Sequence, residues 1–74
     1  MNKDRRRELA DITEQLEIAK DEIENVKSEE EEALYNLPDQ FQISATGEKI
    51  QGNIDEMDDA ISTIDEVISK LTNL

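Results

Sequence analysis

The chain has 74 residues, 20 of them acidic and 8 basic, for a net charge of -12. That length permits one domain with a marginal core, and a field of that sign repels nucleic acid and anionic membranes. With no Cys, no His and only two aromatics, Tyr35 and Phe41, there is no disulfide framework; no apolar run suits a membrane span or signal peptide, so a cytoplasmic protein is expected.

The first segment is periodic. Leu9, Ile12, Leu16, Ala19, Ile23, Val26 and Ala33 recur at alternating spacings of three and four, with Glu30 on the missing beat and Leu37 continuing the series. Written as a heptad a to g, the a positions are Leu9, Leu16, Ile23, Glu30 and Leu37. Asn2 can cap the start. Pro38 ends the helix, because the residue before a proline is pushed out of the α region. A helix from about residue 3 to about residue 36 is expected.

A loop of about residues 37–45 follows. Phe41 and Ile43 are its apolar residues and are expected to fold back and plug the end of the seam. The second helix is expected over about residues 46–72. Its apolar positions, Ile50, Ile54, Met57, Ile61, Ile64, Ile68 and Leu71, alternate four and three without a break. Ser44 or Thr46 can cap it, with Thr46 favoured because Gly47 and Glu48 would open the first turn. Gly52 weakens the early turns.

Two heptad helices joined by a short loop form an antiparallel coiled-coil hairpin, so the fold class is all-α and residues 1–74 are one domain. Antiparallel seams pair a with d. Pairs whose numbers sum to 80 do so throughout: Leu9 with Leu71, Leu16 with Ile64, Ile23 with Met57. At the flanking e positions Lys20 and Lys27 face Asp58 and Asp65, which favours this register more than it adds stability. Ala60, Val67 and Leu74 widen the apolar face of the second helix, and Ile18, Leu34 and Tyr35 lie off the first helix's seam. Self-association through Ala60, Val67 and Leu74 into a dimeric four-helix bundle is expected.

The charges are unevenly placed. Lys3, Arg5, Arg6 and Arg7 sit at a helix N-terminus and Glu29 to Glu32 near its C-terminus, each opposing the local helix dipole. In an antiparallel hairpin each cluster lies beside the other helix's complementary end. Residues 1–7 carry +3 and the rest of the chain -15. A macromolecular partner is therefore expected to be a protein with a basic surface, with Glu29, Glu31, Glu32, Phe41 and Ile43 as candidate contacts. Arg5, Arg6 and Arg7 are the only place where an anionic ligand would bind.

Catalysis is not expected. The residues form no known nucleophile or acid–base motif, and a thin hairpin offers no deep pocket. Asp55, Asp58, Asp59, Asp65 and Glu66 invite a calcium reading, but a calcium loop needs glycine where Ala60 stands, so a solvated helix face is the better reading. Neither a metal site nor a cofactor is expected, and neither direct nucleic-acid binding nor membrane binding. Two alternatives to protein binding stay open. The carboxylates of Glu29–Glu32 and Asp55–Asp59 could imitate a DNA backbone, or Arg5–Arg7 of an oligomer could sequester an anionic nucleotide.

The run from Ala33 to Ile50, Ala-Leu-Tyr-Asn-Leu-Pro-Asp-Gln-Phe-Gln-Ile-Ser-Ala-Thr-Gly-Glu-Lys-Ile, continues to Ile54-Asp55 and Ala60-Ile61. It resembles small acidic proteins of phages and prophages of Gram-positive bacteria: a charged helix, an Asn-x-Pro break, a Gln/Ser/Gly loop and an Ile/Asp-rich helix. The resemblance covers a little over half of the chain. It implies a phage accessory protein in the cytoplasm of a bacterial host, of a kind that often inhibits host or defence factors. No functional residue is carried over from it.

Overall fold

In the computed structural model, which describes residues 1–74, the protein is all-helical. Helix α1 spans Lys3–Tyr35, a single turn α2 spans Asp39–Gln42, and α3 spans Ala45–Thr72. The start of α1 follows from Asn2, whose backbone is extended and whose Oδ1 accepts the Arg5 N–H at 2.8 Å. Its end follows from Pro38, which bars the α conformation to Leu37. The Asn36 N–H closes the last turn onto the Glu32 carbonyl.

The connection is more ordered than a plain loop. The Pro38 carbonyl accepts the N–H groups of Phe41 and Gln42, which makes the turn α2. Gln42 then donates through Nε2 to the Leu37 carbonyl at 2.9 Å and the Tyr35 carbonyl at 3.4 Å. Helix ends leave carbonyls without partners, and this amide supplies what the broken helix lacks.

Two expectations are corrected here. Phe41 is 47% exposed and Ile43 84%, so these residues do not plug the seam. The inward position of the turn goes to Gln42, because the carbonyls at the end of α1 need a donor and an apolar side chain has none. The cap of α3 is Ser44, not Thr46, and its hydroxyl donates back to the Phe41 carbonyl instead of accepting from α3.

Gly47 explains how α2 sits so close. It is one of two buried residues. A Cβ there would lie 2.7 Å from the Phe41 carbonyl oxygen and closer still to that of Gln42. Only glycine lets the backbone of α2 rest on the first turn of α3.

The two long helices lie side by side in a rod 58 × 15 × 11 Å in extent. Residue 20 meets residue 65 and residue 27 meets residue 58, so α1 and α3 run in opposite directions. Leu9 and Leu71 border one groove, Ile23 and Met57 another. Burial is slight. Ile54, at 6% exposure, is the one buried apolar side chain. The a residues Leu9, Leu16 and Ile23 are half-buried, whereas the d residues Ile12 and Val26 are exposed. No helix is long and apolar enough to cross a membrane.

Candidate functional site

The heptad sorts the rod into two long edges and two ends. One edge carries the e positions. There Lys20 Nζ donates to Asp65 at 2.9 Å and Lys27 Nζ to Asp58 at 2.7 Å. Each hydrogen bond holds its ammonium charged and raises the lysine pKa above its ordinary value, against a smaller desolvation that lowers it. Glu17 and Glu31 lie within 3.4 and 3.9 Å of the same two lysines. Asp58 and Asp65 are thus engaged by cations of the chain itself. Nowhere do three carboxylates converge as a metal would require.

Glu30, the acidic residue on the seam, is half-buried and accepts a 3.3 Å hydrogen bond from Asn53 Nδ2 across the helix pair. A carboxylate at an a position is tolerated because α3 offers it a donor.

The loop end gathers apolar and acidic groups on the surface. Tyr35 is 83% exposed, in the last turn of α1. Ser28, Glu31, Glu32 and Tyr35 line a shallow depression on α1. Tyr35 also joins Glu31, Leu34, Gln42, Gln51 and Ile54 around an open cleft beside α2. Glu29, Glu31 and Glu32 are all exposed, and Phe41 and Ile43 stand out from the turn and its C-cap. The expected contacts are therefore on one end of the rod, though not one pocket. Tyr35 is the residue that sequence reasoning underrated. The signal was present: it lies at an f position, the outermost of the heptad, where an aromatic has no seam to fill.

The opposite end carries the arginines. They occupy successive positions of one helix and so fan out instead of converging. Arg6 alone borders the end groove with Leu9, Ala10, Thr13, Leu71 and Leu74. None of the three forms an ion pair within the chain.

The second edge carries the g positions and is open: on α3 these include Ala60, Val67 and Leu74, whereas on α1 they are the exposed Glu8, Gln15, Glu22 and Glu29. A groove there is lined by Ala19, Ile23, Val26, Met57 and Ala60, with Glu22 and Glu56 on its rims. Val67, at 40% exposure, continues the same stripe along α3, and Leu74, at 57%, follows beyond the end of the helix.

No family model, no curated protein and no solved structure matches this chain.

Proposed function

We propose that the chain is a non-enzymatic binding protein whose loop end docks on a basic surface of another protein. The observation that supports this reading is the exposure of Tyr35 and Ile43 at the loop end, each more than four-fifths exposed, with Glu31 and Glu32 lining a depression beside Tyr35. Exposed large apolar groups rimmed by charge are the usual make-up of a protein-binding surface. The net charge of -12 steers a basic partner toward the rod. The scaffold in this reading is a two-helix coiled-coil hairpin that self-associates through Ala60, Val67 and Leu74. The resemblance to phage proteins favours an accessory role in a bacterial host, with a host or defence protein as the target and inhibition as the outcome.

The test is affinity capture from bacterial lysate, followed by kinetics on the captured protein. Glu29→Lys, Glu31→Lys and Glu32→Lys together should slow association and leave helicity intact. Tyr35→Ala with Ile43→Ser should speed dissociation. If both variants bind as wild type does, the loop end is only a solvated surface. DNA mimicry would instead show a steep loss of binding with salt that follows carboxylates all along the rod.

A further inference from the structure

The nine large apolar side chains that stand exposed are not scattered. Met1, Tyr35, Phe41 and Ile43 sit at the ends of the rod. The other five, Ile12, Ile18, Val26, Val67 and Leu74, occupy d, g and c positions, which are neighbouring rows on the open edge. Every large apolar residue left exposed along the length of the rod therefore lies on one face. The seam itself buries a single apolar side chain, far too little for a chain of this size.

The outer borders of that face carry a charge pattern. Along α1 the border row reads Asp11, Ile18, Asn25, Glu32, and along α3 it reads Lys70, Thr63, Glu56, Lys49. All eight residues are exposed. The two carboxylates are three heptads apart, and so are the two lysines. Neither lysine, and neither carboxylate, forms an ion pair within the chain, although Lys20 and Lys27 on the other edge both do.

Two copies can be laid face to face in two ways. With the twofold axis across the rod, each border lies on its own counterpart. Asp11 then meets Glu32 and Lys49 meets Lys70, so like charges oppose at every corner. With the axis parallel to the rod, α1 lies over α3 of the second copy at the height it has within its own chain. Asp11 then meets Lys70, Ile18 meets the Thr63 methyl, Asn25 meets Glu56, and Glu32 meets Lys49. Along the borders four opposite-charge pairs form and no like pair does; between them Glu8, Gln15, Glu22 and Glu29 of one copy lie over Leu74, Val67, Ala60 and Asn53 of the other, whereas the first arrangement sets Glu22 on Glu22.

We propose that a second copy of this chain covers the open face, with the twofold axis parallel to the rod. The inference rests on the self-association proposed above and specifies its geometry. The exposed apolar stripe supplies the affinity, and the corner charges select the orientation. The pairing puts both loop ends at the same end of the bundle, and all six arginines at the other. A target with two basic sites, or a symmetric target, would then be gripped twice by one particle.

Light scattering at micromolar concentration should give twice 8.5 kDa. Replacing Lys49→Glu and Lys70→Glu should weaken association about tenfold or more with helicity unchanged. Adding Asp11→Lys and Glu32→Lys to that variant should restore association. The chain has no cysteine of its own, so single thiols report geometry. A Glu32→Cys chain mixed with a Lys49→Cys chain should give the mixed disulfide under mild oxidation. A mixed disulfide between Glu32→Cys and Asp11→Cys chains would overturn the axis and leave self-association standing. A monomer at every concentration would overturn both, while loop-end binding would still be judged by Tyr35→Ala with Ile43→Ser, which lies off both borders, because Glu32→Lys would disturb the dimer as well.

Discussion

The two long edges of the rod arise from the same heptads and behave oppositely. On one edge Lys20–Asp65 and Lys27–Asp58 span the helices, and Leu34 and Gln42 border the cleft at Ile54 near the loop. On the other, Ile12 and Val26 are exposed, and Val26 shares an open groove with Ala60. Two cylinders touch along one line, so a helix pair has two flanks to shield. The chain closes one flank with its own lysines and loop and leaves the other open, with exposed apolar side chains beside the α1 row Glu8, Gln15, Glu22 and Glu29. That asymmetry, more than the heptad itself, is what the proposed second copy rests on.

The sharpest way to break the comparison is to truncate one side chain on each flank. Ile54→Ala removes the only buried apolar side chain and should cost about 2–5 kcal/mol, as large-to-small core changes do. Val26, 51% exposed, should cost less than about 1 kcal/mol as Val26→Ala. Urea denaturation followed by circular dichroism measures both. If the two losses are equal in dilute protein, the flanks are not different. If the Val26→Ala loss grows with protein concentration, the open flank is covered by association.

The two glycines give a smaller contrast. Gly47→Ala drives a methyl into the backbone of α2 and should cost about 1–3 kcal/mol. Gly52 has nothing within 4 Å of a Cβ, so Gly52→Ala should raise stability by about 0.5–1 kcal/mol. Thermal melts of the two variants should therefore move in opposite directions. A Gly47→Ala melt at or above wild type would mean that α2 does not rest on α3.

These contrasts also mark how far the residues could be read without coordinates. The long helices were legible because apolar spacing persists over many turns, and because Asn2 and Pro38 each act through local chemistry. Lys20 and Lys27 could be set against Asp58 and Asp65 because the heptad carries flanking positions along with the seam. The turn Asp39–Gln42 was not legible, since four residues hold no period. Gln42 and Gly47 were missed for a related reason. Their roles depend on a carbonyl and a close approach that exist only once the chain has turned back. The exposure of Ile12 and Val26 was invisible as well, because a heptad treats every d position alike. At the candidate site the acidic run and the loop apolar residues were legible as exposed types, but Tyr35 needed its outward heptad position to be weighed.

The smallest expected effect lies on the closed edge and concerns pH. The hydrogen bonds from Asp65 and Asp58 raise the pKa of Lys20 and Lys27 in the folded chain. A raised pKa means that the folded state holds the proton more tightly than the unfolded state does. The stabilisation is therefore complete below the unfolded lysine value, about 10.4, and is lost as pH rises through the higher folded value. Wild-type melting temperature should fall slightly across that alkaline range. Lys20→Met with Lys27→Met should melt a little lower at neutral pH and lose less of its stability on going alkaline. The shift should be smaller than either glycine effect, because both pairs are open to solvent and screened. High salt at neutral pH should shrink the gap between wild type and the double variant. If the two proteins keep the same alkaline slope, the lysines only decorate the closed edge, and its closure rests on Ile54, Leu34 and the loop.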